Sequence, residues 1–396
     1  MKHMVLPLAE DWNKMDIALL GHGTVGRGVD KICSTLDSVD VTHILELPDR
    51  CTDERMTPNF DEIAGDPEVS LILECMGGLE PAHTYIADAL AAGKSVVTSN
   101  KAVVAANLAE FVSLAHTTGA TLMCEASVGG GVPWLSSIRK VRRIDEISSI
   151  FGIMNGTTNY LLTTLAKGDE SFDEVLGEAQ QLGYAERDPS ADIDGIDVAN
   201  KIIISCLAAF DVICTPELPV TGIRTLQKSD VDLFGVHGRT VKLIGRAVCE
   251  GQKYAAVVEP TAMPSSSVES NVSENFNILG LTATTVGDLK FYGQGAGSLP
   301  TGNAMVQDVL DYAAGERPKF RMRKDMTYDP TLLVGDYVLR AEDASALEGT
   351  TEDWRPYAAN AWFIRNIDPI KAKKLLESAR SFDSKALIFA CPRKDV

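Results

Sequence analysis

The 396-residue chain is 45% apolar and 23% charged, with a formal net charge of −18. That length allows two or three domains with full cores. The charge argues against nonspecific binding to nucleic acid or anionic membrane, and no apolar run reaches the ~18 residues of a membrane span.

Residues 1–15 carry acids and no apolar h-region, so they read as a short extension and not as a signal peptide. The apolar run 17–20 then predicts a strand that ends at GHGTVG, 21–26, and a helix is expected over 27–36. Gly21, Gly23 and Gly26 fit the G-x-G-x-x-G turn of a dinucleotide site. The first makes the turn, the second admits a pyrophosphate, and the third lets helix pack on strand. Amides at the helix start, around Thr24 and Val25, then face the phosphates. A plain glycine turn is the alternative, and the strand and helix flanks argue against it.

A second strand is expected over 41–47. Glu46 lies 20 residues after Gly26, where an acid accepts from the ribose hydroxyls of NAD and repels the 2′-phosphate of NADP. Arg50 is the counter-argument, and a surface glutamate at a strand end is the ordinary alternative. Further strands are expected over 69–74 and 95–98, with a helix at 83–92 between them. Ser99, Asn100 and Lys101 then sit at the carboxyl end of a strand, the edge where open parallel sheets bind ligands. A helix over 102–117 and a strand over 121–124 lead to EASVGGGVP, 125–133. That loop offers backbone oxygens and the Glu125 carboxylate to a hard cation, or it is a flexible crossover.

From residue 147 the texture changes to helices mixed with antiparallel-type strands, an α+β pattern. SSIFGIMNGTTNYLL, 148–162, predicts strand, polar turn and helix. A helix over 172–182 leads into the most charged turn, GYAERDPSADIDGIDVANK at 183–201. It holds Glu186, Asp188, Asp192, Asp194 and Asp197 with Arg187 and Lys201. Apolar residues at a 3.6 period predict a helix to Phe210, with Asp194 as a possible cap and Asp197 and Lys201 one turn apart on its polar side. Such a pair is either a surface ion pair or part of a cleft in which lysine passes a proton and carboxylates hold an ammonium. A second glycine loop, YGQGAGSLPTGN at 292–303, includes Gly297 and precedes another helix, for which Thr301 or Asn303 are possible caps. The last segment predicts strands at 337–340, 361–365 and 386–389 and a helix at 369–379. Eight cysteines without metal or disulfide spacing read as reduced thiols of a cytoplasmic protein.

Seven motifs in order resemble the homoserine dehydrogenase family: GHGTVGRGV, ECMGGLEPA, TSNKAVVA, EASVGGGVP, GIMNGTTNYLL, LGYAERDPSADIDGIDVANK and GAGSLPTGNAMV. The resemblance implies interconversion of L-homoserine and L-aspartate 4-semialdehyde with NAD or NADP, in threonine and methionine biosynthesis, by a homodimer or homotetramer. It implies that Lys201 transfers the proton and that Lys101 lies near substrate and nicotinamide. Glu186 and Asp197 would bind substrate. Gly183 and Gly297 would lie near the cofactor together with Ser99. Glu125, with the backbone of Val128, Gly130 and Val132, would hold Na⁺ or K⁺. Two departures stand out: Glu46 occupies a position that is often basic, which favours NAD, and the C-terminal segment does not clearly match a regulatory module.

The expected fold is α/β. It has a Rossmann-type doubly wound sheet over 16–146, a second α+β catalytic and oligomerisation domain over 147–321 with 295–321 returning to the first, and a small α+β module over 322–396. The alternatives are another NAD(P)-dependent amino-acid dehydrogenase, against which NGTTNY argues, and a noncatalytic nucleotide-binding homologue. Retention of Lys101, Glu186, Asp197 and Lys201 together argues against the latter.

Overall fold

The computed structural model describes residues 14–214 and 218–392. Most of the expected extension over 1–15 therefore lies outside the described residues. The first half runs β1 (Met15–Leu20), α1 (Thr24–Cys33), β2 (Val39–Leu45), β3 (Met56–Thr57), α2 (Phe60–Gly65), β4 (Leu71–Glu74), α3 (Ala82–Ala91), β5 (Ser95–Thr98), α4 (Lys101–Thr118) and β6 (Leu122–Met123). Next come α5 (Trp134–Val141), β7 (Ile147–Ile153), α6 (Gly156–Lys167), α7 (Phe172–Gln181), α8 (Ser190–Ile193), α9 (Ile196–Phe210) and α10 (Lys228–Val236). The chain continues through β8 (Arg239–Glu250), β9 (Lys253–Pro264), β10 (Phe276–Ala283), β11 (Gly287–Gln294) and α11 (Ser298–Ala313). It ends with β12 (Thr327–Tyr328), β13 (Gly335–Arg340), β14 (Asp353–Ala358), β15 (Ala361–Ile367), α12 (Pro369–Arg380) and β16 (Leu387–Ala390).

Two compact units result. One comprises residues up to Pro133 together with Ala296–Arg321; the other comprises Trp134–Gly295 and the segment from Met322 onward. The expected division at 146/147 differs, because α5 belongs to the second unit. Its Trp134 indole Nε1 donates to Ser205 Oγ on α9 at 2.9 Å, both buried.

The first unit is a parallel sheet in the order β3-β2-β1-β4-β5-β6. The strand order reverses between β1 and β4, which makes their carboxyl ends the crevice of a doubly wound fold. The four residues of β4 and of β5 are all buried, as expected of strands covered on both faces. Helix α11 returns and packs on α1 through small residues. A Cβ on Gly28 would stand 2.3 Å from the Ser298 carbonyl oxygen, and one on Gly302 would stand 2.9 Å from the Gly28 carbonyl carbon. Neither Thr301 nor Asn303 caps α11. Gly297, at φ +131°, is its N-cap residue, and the helix begins at Ser298, whose hydroxyl donates to the Thr24 carbonyl at 2.6 Å.

The second unit is a ten-stranded sheet with the path β11-β10-β7-β8-β9-β16-β13-β15-β14, while β12 pairs with β9. The C-terminal segment therefore adds strands to the same sheet. Its β16 meets β9 in parallel, and β13, β15 and β14 follow antiparallel. Its own core lies under α12, around Leu339, Ile364, Leu376 and Ile388. Arg340 on β13 fastens it to α10: Nε is 2.8 Å from Asp230 Oδ1 and Nη2 is 2.9 Å from Asp230 Oδ2.

Gly28→Ala tests the α1–α11 crossing. The added methyl meets backbone and not a flexible side chain, so the expected cost is ~1–3 kcal/mol, read as a lower melting temperature with weaker dinucleotide binding. An unchanged melting temperature would show that the helices separate freely.

Candidate active site

In the first unit the glycine loop turns tightly at Gly21 and Gly26 and is open at Gly23. Gly21 has φ +93°, and a Cβ on Gly26 would lie 2.1 Å from the Gly21 carbonyl oxygen. Around the Cβ position of Gly23 nothing stands within 4 Å, which leaves room beside the start of α1. Gly23 is the N-cap residue and offers no side-chain cap to the first amides of α1, at Thr24, Val25 and Gly26. Glu46 sits directly after β2 and accepts from the His22 amide at 3.2 Å and the Leu47 amide at 2.9 Å. The Leu47 amide is the main cause that holds this carboxyl below its ordinary range, helped by the His22 amide and the Arg50 charge against partial burial.

The carboxyl ends of β4 and β5 are knitted by Glu74, which is fully buried. It accepts from Thr98 Oγ1 at 2.5 Å and from the Met76 amide at 2.7 Å. Asn100 caps α4 through the Val103 amide and donates to the Gly78 carbonyl at 2.8 Å. Lys101, the first residue of α4, and Ser99 thus stand on a loop tied down from both sides. Burial pushes the Glu74 carboxyl up to about 7, against the opposing hydrogen bonds from Thr98, Met76 and Asn100.

Residues 125–132 form one turn of the first unit, in which Glu125, Val128, Gly130 and Val132 are all buried. Gly129 at φ +82° and Gly130 at φ +57° reverse the chain. The Val128 and Val132 amides donate to the carbonyls of Glu125 and Gly129, so these bonds do not consume the backbone oxygens of Val128, Gly130 or Val132.

The second unit holds a buried polar cluster. Lys201 Nζ donates to Asp197 Oδ2 at 2.8 Å and to the Met154 carbonyl at 2.5 Å. Asn155 Nδ2 donates to Asp197 Oδ2 at 2.9 Å and to Asp192 Oδ1 at 2.6 Å. Its Oδ1 caps α6 by accepting from the Thr158 amide at 2.8 Å. Asn277 Nδ2 donates to the same Met154 carbonyl at 3.0 Å. Burial raises the Asp192 carboxyl, and the Asp197 charge adds to it, while Asn155, Thr157 and Lys201 pull it down.

Two local expectations are corrected. The Asp197–Lys201 pair is not on a solvated face: both side chains are under a tenth exposed, because α9 is covered nearly all round. Gly245 on β8 lets the apolar side of α9, at Val198 and Ile202, come close to the sheet. A Cβ there would sit 2.6 Å from Ile202 Cγ1, so the helix lies directly on the sheet. Asp194 does not cap α9; Gly195 does, at φ +81°, and Asp194 ends α8.

Residues 21–125 match a family model described as the NAD-binding domain of homoserine dehydrogenase, and residues 133–310 match one described as homoserine dehydrogenase. The homoserine dehydrogenase of Bacillus subtilis is 36% identical over 74% of this chain and 72% of its own length. That of Lactococcus lactis is 34% identical over 76% of this chain and 75% of its own. The chain belongs to the homoserine dehydrogenase family. A solved homoserine dehydrogenase from Thiobacillus denitrificans superposes with a TM-score of 0.84 at 28% identity, covering 96% of this chain and 98% of that one.

The family's motif residues fall in both units. Gly21, Gly23, Thr24, Val25, Gly26, Glu46, Ser99, Lys101 and Gly297 belong to the nucleotide unit; Gly183, Glu186, Asp197 and Lys201 belong to the other. Asp197 and Lys201 are brought together. Glu186 is exposed, and its backbone carbonyl is fastened by Gln180 Nε2 at 3.0 Å. Gly183 stands just past α7 at φ +77°. The cluster also contains Asn155, Asp192 and Asn277, which carried no assigned role in the sequence. An Asn directly before a Gly-Thr-Thr helix start is a capping signature, and it was the available signal for Asn155.

Glu74→Gln tests the buried carboxyl. Because its folded value, about 7, lies above the ordinary one, the stability it confers is full below about 4.5 and is lost as pH rises through 7. Wild type should lose thermal stability relative to the variant between about pH 5 and 8. Parallel curves would place Glu74 in a wetter setting.

Proposed function

We propose that the protein interconverts L-homoserine and L-aspartate 4-semialdehyde with a nicotinamide dinucleotide. The observation that carries the reading is the buried set Asn155–Asp197–Lys201 with the half-buried Asp192 at its edge, within a chain of this family. The two carboxylates, bridged by one amide, offer an ammonium a negative and partly desolvated seat. Lys201, fixed by Met154 and Asp197, is placed to take the hydroxyl proton of the alcohol. A bound nicotinamide would supply the hydride acceptor opposite the carbinol carbon. Lys101 and Ser99 orient substrate and cofactor from the tied loop at the sheet's carboxyl edge, and Glu186 assists from the acidic turn.

The uncapped start of α1, with Gly297 and Gly183, takes the cofactor. Glu46, held ionised by two amides, favours the free ribose hydroxyls of NAD over a 2′-phosphate. The buried turn at Glu125, Val128, Gly130 and Val132 suits a monovalent cation, Na⁺ or K⁺, because it sets one buried carboxylate beside backbone carbonyls. A cytoplasmic homodimer or homotetramer, implied by the family, is checked by light scattering.

The primary test is homoserine-dependent reduction of NAD and of NADP, followed by absorbance with Na⁺ or K⁺ present. Turnover is expected; its absence with both cofactors in folded protein would overturn the reading. Asp192→Asn and Asp197→Asn should each raise the homoserine KM by about tenfold or more, the loss of a charge-assisted contact. An unchanged KM would place the ammonium elsewhere.

Wild type should prefer NAD in kcat/KM, and Glu46→Arg should move the ratio toward NADP. A wild-type preference for NADP that is indifferent to Glu46 would show that the ribose is read elsewhere.

A further inference from the structure

The Asp192 carboxylate is carried by α8, a single turn of four residues. So short a helix cannot hold its own position, since isolated turns are marginal without tertiary support. Support comes from the segment 219–226. The Ile223 amide donates to the Ile193 carbonyl at 2.7 Å. Gly222 is pressed so closely on α8 that a Cβ there would lie 2.2 Å from the Ile193 carbonyl oxygen and 2.4 Å from Asp194 Cα.

Arg224 then grips both ends of α8. Its Nε donates to Asp194 Oδ1 at 2.6 Å, and its Nη2 donates to Asp194 Oδ2 at 2.6 Å and to Ser190 Oγ at 2.8 Å. Ser190 opens the helix, Asp194 follows its last residue, and Asp192 lies between them. Only a planar, multiply donating side chain spans such a set.

The segment is anchored in turn by the C-terminal strands. Arg340 Nη2 donates to the Thr225 carbonyl at 2.8 Å, its Nη1 reaches the Lys385 carbonyl, and Thr225 Oγ1 donates to the Ala386 carbonyl at 3.3 Å. A continuous set of contacts therefore runs from β13 and the residues just before β16 through Thr225 and Arg224 to the turn that carries Asp192.

We propose that Arg224 is a positioning residue for the Asp192 carboxylate, and that the C-terminal strands serve substrate binding by anchoring Arg224's segment through Arg340 and Thr225. The proposal rests on the homoserine reading above. Arg224 touches no reacting atom. It fixes the turn so that Asp192 meets the Asn155 amide and the Asp197 side, ready for an ammonium. Its removal leaves Lys201 and Asp197 in place on α9, so binding should suffer and the chemical step should not.

The experiment compares steady-state kinetics of wild type, Arg224→Ala, Arg224→Lys, Asp194→Asn and the double variant Arg224→Ala/Asp194→Asn, with melting curves for each. Arg224→Ala should raise the homoserine KM about tenfold with kcat and cofactor KM nearly unchanged. Arg224→Lys should restore only part of the loss, because one ammonium cannot reproduce the fork. Asp194→Asn should resemble Arg224→Ala, and the double variant should be no worse than either single one, as coupled partners behave. A homoserine KM within twofold of wild type for Arg224→Ala and Asp194→Asn would overturn the proposal, as would a parallel fall in kcat and cofactor binding. An inactive wild type would instead overturn the functional reading beneath it.

Discussion

The catalytic unit depends on a charged pair that it has no simple reason to bury. Moving an ammonium and a carboxylate out of water costs several kcal/mol per ion, and their attraction offsets this only when further hydrogen bonds complete the arrangement. Lys201 and Asp197 meet that condition: Met154 supplies a carbonyl, Asn155 an amide proton, and Asn277 holds the same carbonyl from its other side. Much of the surrounding structure follows from this requirement. Met154 and Asn155 must close β7 at that point, Gly245 must let α9 onto the sheet, and Trp134 must reach across to Ser205. Asp192 joins the same cluster through the Asn155 amide, and burial raises its carboxyl.

The nucleotide unit is governed by a different constraint, close approach of backbone to backbone. At Gly26, Gly28 and Gly302 a single methyl would collide with main-chain atoms, whereas the space at Gly23 is open. The unit thereby compacts α1 and α11 and leaves the helix start uncovered for phosphates. Glu74 extends the same economy to the other end of the crevice, where one buried carboxyl ties the loops after β4 and β5.

The doubly wound unit was legible in the sequence because its signals are local. The glycine spacing, the acid after β2 and apolar runs ending at polar loops all lie within a few residues of their structural partners. The second unit was less so. Strand β8 and helix α10 lack clean period-2 or period-3.6 patterns. Asp197 and Lys201 were recognised, but their surroundings were not: a polar stripe on a helix reads as solvated until Met154, Asn155 and Trp134 are known to cover it. Asn155 and Asp192 are far apart in sequence, and only folding shows that one amide joins two carboxylates. The C-terminal segment read as a separate module, because nothing local reveals that β16 continues the sheet beside β9.

In the proposed reaction Lys201 handles the substrate proton and does not merely fill the fold. The most direct test of this role is single-turnover hydride transfer from homoserine in Lys201→Ala, with dinucleotide affinity measured by fluorescence titration and folding by melting curve. The expected result is a loss of about 10²–10⁴ in the hydride-transfer rate, the usual range for a positioned proton-transfer group, with cofactor affinity nearly intact and the protein folded. A folded Lys201→Ala variant that transfers hydride at the wild-type rate would contradict it.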